Sequence, residues 1–314
     1  MRVVRGSGGI ERSQGPFAVG IGIFDGVHRG HQALLRRVIA LADHDGIQSL
    51  AFTFDPHPAQ VLSPDLAPKL IEPLEQRIAR LDALGIGTTL VEPFTPELAA
   101  VGAESFAADV LAGRLAARHV VVGADFTFGR GRGGNVEKLT EWGAKLGFTV
   151  HPVHILEIDG IRVSSSKIRE FVWAGAMRGA ALLLGRPFAL MGVVQRGATR
   201  GKQLGFGTAN LKPQNELLPA IGVYAARASG TFGTRDAVVN VGYAPTFGGT
   251  ELKVEAHLLD YDGGPLYGTP ISIDLIDRLR DEMRFHDAEE LKRQIQADVA
   301  EARRILGEIP PSGA

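Results

Sequence analysis

The chain contains no cysteine among its 314 residues. Disulfide bonds, thiolate metal sites and cysteine nucleophiles are therefore excluded, and the composition fits a reducing compartment. An excess of one charge is also lacking. Lys and Arg number 34 against 35 Asp and Glu, a net charge of −1 at pH 7, so no overall field draws the molecule to nucleic acid or to an anionic membrane. No apolar run reaches the roughly 20 residues that a bilayer crossing needs. The opening MRVVRGSGGIERSQ has no apolar centre of the secretion-signal kind. These absences lead to an expected cytoplasmic location and to small-molecule partners, with no nucleic acid and no membrane. They leave self-association into a homo-oligomer open. What remains, at 45% apolar and 22% charged residues, is an ordinary globular chain long enough for about two domains.

The most informative stretch is Phe17 to His31, FAVGIGIFDGVHRGH. Phe17 to Ile23 is an apolar, partly β-branched run of the kind a parallel-sheet strand shows when buried on both faces. A loop containing Asp25, Gly26, His28 and Gly30 follows, then an amphipathic helical pattern from Gln32 to Asp43, closed by Gly46. Strand, glycine turn and helix N-terminus together make an anion site, because free backbone N–H groups and the helix dipole converge there. His28 and His31 can face one anion, with Gly26 and Gly30 leaving room for phosphate. Both are also compatible with plain loop or capping duties.

Four further strands are expected in this half, at Ile47–Phe54, Thr88–Glu92, His119–Gly123 and Phe148–Val153. Helical patterns cover Leu74–Leu84, Ala103–Ala116 and Val136–Leu146, the last with Asn135 as N-cap. This alternation predicts an α/β domain with a parallel sheet. Its unusual residues fall at strand ends, where such sheets bind ligands. They are Asp55-Pro56-His57-Pro58, expected to be extended by its prolines, and Gly123 to Gly129, with Arg130 and Arg132 just beyond, placed to reach phosphates. Two other phosphate motifs fail on counting. A dinucleotide fingerprint opening at Gly20 meets Asp25 where its third glycine belongs, and a P-loop at Gly197–Gln203 is one residue short and lacks the Ser or Thr after Lys202.

Val163-Ser164-Ser165-Ser166-Lys167-Ile168-Arg169 precedes a helical pattern through Trp173, and hydroxyls in that position are ordinary N-caps. A break at Gly185-Arg186-Pro187 follows. Beyond it, short strand-like runs at Ala189–Gln195, Val223–Ala228, Ala237–Val241, Val254–Leu259 and Ile271–Ile276 predict a closed antiparallel barrel, with a final amphipathic helix from Ala288 to Leu306. Domains are expected at 1–185 and 186–314.

His28-Arg29-Gly30-His31 resembles the HxGH signature of the nucleotidyltransferase superfamily. Val163 to Arg169 resembles its second signature, ISSTxIR, with Val for Ile and Ser166 for Thr. With the DPHP and GADFTFG loops in order, Phe17 to about Leu184 resembles the adenylyltransferase domain of bacterial bifunctional riboflavin kinase/FAD synthetases. In the second half, Gly205 to Asn210 resembles the GFPTAN element of riboflavin kinases, and Val254 to Asp260 their catalytic-glutamate strand. Asn240–Phe247 and Leu266–Gly268 also match in order.

The resemblance implies a nucleotidyltransferase-type parallel-sheet domain followed by a riboflavin kinase-like barrel with a terminal helix. It further implies that riboflavin is phosphorylated by ATP to FMN, and FMN adenylylated to FAD with release of pyrophosphate. His28 and His31 would stabilise charge in the second reaction. Gly22, Phe24, Asp25, Gly26, Ser164, Ser165 and Arg169 would hold its nucleotide, and Asp55, Asp125 and Phe128 its flavin. In the kinase, Gly201 and Lys202 would meet nucleotide, Thr208 and Asn210 would hold Mg²⁺, and Glu255 would take the ribityl hydroxyl proton. Two departures stand out: Gly207 replaces the family proline, so Thr208 and Asn210 are expected on a looser loop, and Lys202 replaces arginine, losing the planar fork. An adenylyltransferase for another phosphate acceptor, with an inactive barrel, and a flavin-storage protein are the rival readings. The intact histidine pair and Glu255 argue against storage.

Overall fold

A computed structural model describes residues 1–195, 208–246, 249–264 and 266–308. Gly201, Lys202, Gly207 and Phe247 lie outside the described residues. Two compact units emerge: Met1–Lys69 with Leu74–Val163, and Leu70–Pro73 with the chain from Ser164 onward.

The first unit is built on a parallel sheet. Its strands are β1 (Arg2–Arg5), β2 (Phe17–Ile21), β3 (Gln48–Asp55), β4 (Thr88–Pro93), β5 (Ala117–Gly123) and, after the short hairpin of β6 (Thr127–Phe128) and β7 (Gly134–Asn135), β8 (Thr149–Val153). The spatial order is β1-β4-β3-β2-β5-β8. From β2 the chain winds outward through β3 and β4, then returns to lay β5 against the other side of β2. The order therefore reverses between β2 and β5, whose carboxyl ends flank the crevice where such sheets take ligands. A small hairpin, β9 (Glu157–Ile158) and β10 (Ile161–Arg162), follows.

Both faces of the sheet are covered, which is why its strands read as unbroken apolar runs. Helix α1 (Arg29–Asp45) lays Leu34, Leu35, Val38 and Ala42 on Ala18, Ala51 and Val121. On the other face Phe17, Val19, Ile21, Leu50, Phe52 and Val120 pack with Phe106, Leu111 and Leu139. Gly46 ends α1 in the left-handed region at φ 64°, a conformation that glycine adopts without strain.

The remaining helices of this unit are α2 (Pro58–Leu62), α3 (Leu74–Ala83), α4 (Pro96–Ala99), α5 (Ala103–Ser105) and α6 (Val136–Leu146), the last capped by Asn135 as expected. Three expectations need correction. The sheet has a sixth strand, β1, which pairs with β4 from Arg2↔Thr88 to Arg5↔Val91. The expected helix at 103–116 is one α turn followed by a π-helix over Phe106–Arg114. Pro58 starts a helix instead of extending the chain, for proline suits the first helical position, where no N–H is needed.

A cluster at the opposite end of the sheet from the reversal loops joins α1 to β5 and β8. Asp45 Oδ1 meets His44 Nδ1 at 2.7 Å, and its Oδ2 meets His119 Nε2 at 2.9 Å and Arg118 Nε at 2.8 Å. His119 Nδ1 in turn meets His151 Nε2 at 3.0 Å. The His44 and His119 hydrogen bonds, helped by Arg118, hold the Asp45 carboxyl down to about 2. A carboxyl that is more acidic folded than unfolded stabilises the fold above its unfolded value of about 4, and loses that contribution as pH falls toward its folded value. Asp45→Asn is accordingly expected to melt below the parent at neutral pH, the gap closing as both are titrated to about pH 2. A gap independent of pH between 2 and 6 would refute this linkage.

The second unit is a closed antiparallel barrel in the order β11-β12-β15-β14-β13-β16. Its strands are β11 (Phe188–Gln195), β12 (Thr208–Pro213), β13 (Gly222–Gly230), β14 (Gly233–Thr246), β15 (Gly249–Leu258) and β16 (Pro270–Arg280), β11 closing on β16 through Phe188↔Leu275. Helices α7 (Ser165–Trp173) and α8 (Met177–Leu184) precede the barrel, and α9 (Ala288–Glu308) follows it. Strand β12 corrects the expectation of a loop. Its Asn and Pro disfavour a strand in isolation, but β11 pairs it on one side and β15 on the other, and Leu211 turns into the core.

Helix α9 packs Ala302, Ile305 and Leu306 on Val223, Ala225, Val238 and Ile276. Arg280 anchors it with two parallel bonds to Asp298, Nε to Oδ1 at 2.9 Å and Nη2 to Oδ2 at 2.8 Å. Arg227 Nη2 donates to the carbonyl of Leu306 at 2.7 Å, a cation on the negative end of the helix. Asp298 is buried, so Asp298→Ala leaves the Arg280 guanidinium uncompensated and should cost about 3 kcal/mol in urea unfolding. A loss below about 0.5 kcal/mol, the usual range for a surface change, would show that the pair does not hold the helix.

Candidate functional site

At the reversal of the first unit, β2 runs into a tight loop. Gly22 N donates to Phe52 O at 3.1 Å, extending the ladder by one bond, and Val27 N closes a turn on Phe24 O at 2.9 Å. Phe24 and Val27 have φ of 55° and 35°, and Gly26 has 80°. Two non-glycine residues in the left-handed region mark a loop held in shape by its surroundings. The Phe24 side chain is fully buried. Of the residues expected to meet nucleotide, Phe24 thus has only its backbone to offer, while its ring packs edge-on to His31 at 5.4 Å.

His28 is the N-cap of α1, its Nδ1 accepting from His31 N at 3.2 Å. The cap thus occupies the Nδ1 of the His28 ring. The His28 and His31 rings stack with centroids 3.5 Å apart and planes at 15°. Gly30 permits the approach, for a Cβ there would come within 3.2 Å of the His28 ring. His31 Nδ1 is enclosed and has no hydrogen-bond partner among the described residues. Burial, then the His28 and Arg77 charges, push the His31 imidazole well below its usual range. It is therefore neutral at pH 7, and an arriving polyphosphate would favour its protonated form.

Two more strand ends border this loop. Asp55, half-buried at the end of β3, accepts Phe94 N on its carbonyl at 3.2 Å. His57 caps α2 through Nδ1, which accepts from Ala59 N at 3.0 Å. After β5, Asp125 is exposed and paired with Arg162 Nη2 at 2.7 Å. Phe128 stacks on Phe126 and meets Phe106 and Trp142. Gly129 is obligatory beside it: φ is 73°, and a Cβ would lie 2.6 Å from the Ala103 backbone. Arg130 and Arg132 are exposed on the one-turn helix that follows.

In the second unit Ser164 is the N-cap of α7, its Oγ accepting from Lys167 N at 3.2 Å. Ser165 opens that helix, and Arg169 is buried within it. On the barrel, Asn210 of β12 lies directly opposite Glu255 of β15, and Asn240 of β14 lies opposite Glu255 on the other side. Thr208 shares this face, opposite His257. Residues two apart along a strand point the same way, so Val238, which packs against α9, marks this as the outer face, while Val254 and Ala256 turn into the closed core. The structure thus joins Thr208, Asn210 and Glu255 in one patch, and adds Asn240.

A reversed parallel sheet with a stacked histidine pair at its switch point, and a barrel carrying a carboxylate between two asparagines, define a two-domain, nucleotide-dependent transferase. An FAD synthetase family model matches residues 10–167, and a riboflavin kinase family model residues 184–306. The bifunctional riboflavin kinase/FMN adenylyltransferase of Pseudomonas fluorescens is 36% identical over 306 residues, covering 97% of this chain and 98% of that protein. Its counterpart in Escherichia coli K12 is 34% identical over 315 residues, 99% of this chain and 100% of that protein. A solved Streptococcus pneumoniae structure, named as a macrolide-efflux protein, superposes with a TM-score of 0.86 at 28% identity, over 96% of this chain and 99% of that one. No helix among the described residues is long and apolar enough to cross a membrane. The chain belongs to the bifunctional riboflavin kinase/FMN adenylyltransferases. It is a transferase that phosphorylates riboflavin to FMN and adenylylates FMN to FAD, both with ATP.

Arg77 escaped the sequence reading, and Asn240 entered it only as part of a matching run, with no role. A signal for Arg77 exists: it sits on the stripe of Leu74, Ile78 and Leu81, where an apolar residue is the norm.

Proposed function

We propose that the two reactions use separate residues, as follows. In adenylyl transfer an FMN phosphate oxygen attacks the ATP α-phosphorus, the bond to the β-phosphate oxygen breaks, and pyrophosphate leaves. Gly22, Phe24, Asp25 and Gly26 border the nucleotide, and His28 and His31 stabilise charge as it develops. Ser164, Ser165 and Arg169 hold phosphates, a role supported by the second signature. Asp55, Asp125 and Phe128 border the flavin. No covalent enzyme intermediate is needed. The observation that carries this reading is the His28–His31 stack at the β2–β5 reversal.

In the kinase, Glu255 accepts the proton of the ribityl hydroxyl as that oxygen bonds to the γ-phosphorus and ADP leaves. Thr208 and Asn210 fit Mg²⁺, being hard oxygen donors on one face beside Glu255. When bound, the ion would neutralise phosphate charge. Lys202 and Gly201 complete the nucleotide contacts in this reading. The domain boundary near Arg186 and a cytoplasmic location belong to the same proposal, which is compatible with a homo-oligomer. Incubation with riboflavin, ATP and Mg²⁺, followed by chromatography, should yield FMN and then FAD, with chelation stopping the kinase. FAD formation without any riboflavin phosphorylation would leave an adenylyltransferase with an inactive barrel.

A further inference from the structure

Arg77 lies on α3, only 1% exposed, the largest fully buried side chain of the described residues. Its Nη1 donates to the carbonyl of Ile23 at 2.9 Å, to Thr53 Oγ1 at 3.2 Å and to the carbonyl of Phe54 at 3.3 Å. Thr53 Oγ1 also donates to Ile23 O, at 2.8 Å. The acceptors stand in the loop after β2 and at the end of β3, one residue before Phe24 and one before Asp55. Nε is buried with no hydrogen-bond partner. No carboxylate among the described residues pairs with this guanidinium.

A buried cation held only by neutral oxygens is a large electrostatic cost, normally met by a paired anion. If bracing two loops were the whole task, neutral donors would do it without that cost. In the adenylyltransferase reading these loops, which also carry the buried Asp25, receive the polyphosphate at the neighbouring histidine pair. We infer that Arg77 is a positioning residue for adenylyl transfer, which fixes the β2 and β3 loops and supplies from behind them a permanent positive charge toward the nucleotide phosphates. This rests on the adenylyltransferase reading of the His28–His31 loop. Burial first, then the charges of His28 at the N-cap of α1 and of Arg77 on α3, lower the His31 imidazole in the free protein. The chain thereby keeps one permanent cation and a neutral His31 imidazole at this site, and that imidazole can gain a proton as phosphate arrives.

Two variants of the full chain separate charge from bracing. Arg77→Gln keeps an N–H donor without charge, and Arg77→Lys keeps charge without the fork. FAD formation from FMN and ATP is measured against pH, with melting temperature and riboflavin phosphorylation as controls. For Arg77→Gln we expect a fall of roughly tenfold or more in kcat/KM, mostly as a raised KM for ATP. Because His31 takes up a proton as phosphate arrives, kcat/KM should fall as pH rises through the free-protein His31 value, and without the Arg77 charge that inflection should move to higher pH. Arg77→Lys should recover most of the ATP affinity and keep the parent inflection. A folded Arg77→Gln with parent KM and parent inflection overturns the inference, and so does failure of both variants to fold, which would make Arg77 a structural residue alone. The parent protein tests the underlying reading separately, because an inability to make FAD from FMN and ATP would remove the adenylyltransferase site itself.

Discussion

His31→Ala should convert riboflavin to FMN at the parent rate and then stop, so that FMN accumulates where the parent makes FAD. The His31 ring stacks on His28 and meets the edge of Phe24, but its Nδ1 bonds to no described residue, and the helix cap depends on its backbone N–H alone. Removing the ring therefore breaks no hydrogen bond of the fold. The stability cost is expected near 1 kcal/mol, the ordinary range for such a truncation. The catalytic cost is far larger: loss of one preorganised donor to developing phosphate charge is worth about 10²–10³ in kcat. Time courses of FMN and FAD from riboflavin, with FMN-fed assays beside them, measure both. Parent-rate FAD formation by a folded His31→Ala would sink the assignment of this loop to adenylyl transfer.

The same loop shows why part of the fold could be read from residues and part could not. Phe17–Ile21 announces itself because a strand covered on both faces is apolar at every position, and it is followed by glycines where the backbone must enter the left-handed region. Arg2–Arg5 does not, since four residues with one buried valine carry too short an alternation to register, and their strand exists only because β4 offers an open edge. Thr208–Pro213 fails for a related reason. Local propensity argues for a loop, and two flanking strands overrule it. Winding is invisible too: the pattern at 103–116 is helical in period, but whether carbonyls bond four or five residues on depends on packing, here through Leu115 N to Val110 O.

For the sites, spacing singled out the histidines and left capping open for both; the structure makes His28 the cap of α1, and the burial that lowers His31 was not legible. Hydroxyls before α7 were legible as caps, and Ser164 is one. Arg77 was hidden because a cation on an apolar stripe reads as an exposed residue until its surroundings are known. In the barrel, sequence order separates Asn210, Asn240 and Glu255, and only strand register sets them side by side.

That register gives the second large effect. Glu255→Gln should abolish riboflavin phosphorylation while supplied FMN is still turned into FAD. Glu255 is half-buried on the barrel's outer face, with Asn210 and Asn240 opposite it on the two adjoining strands. Both neighbours are neutral and amide-bearing, so the row carries one carboxylate able to accept a proton from a sugar-like hydroxyl. Glutamine keeps the volume and the strand pairing. Stability should therefore stay within about 0.5 kcal/mol of the parent, as for a substitution that leaves packing unchanged. The amide cannot take the proton, and kcat should fall about 10²–10⁴-fold, the range for loss of a positioned base. Because the interaction is made in the transition state, kcat and kcat/KM should fall together with the KM for riboflavin little changed. Asn240→Ala, by contrast, should raise KM more than it lowers kcat, if the amide orients the flavin or Glu255 and takes no proton itself. Parental kcat in Glu255→Gln would place the base elsewhere and reduce this row to a recognition surface for the ribityl chain.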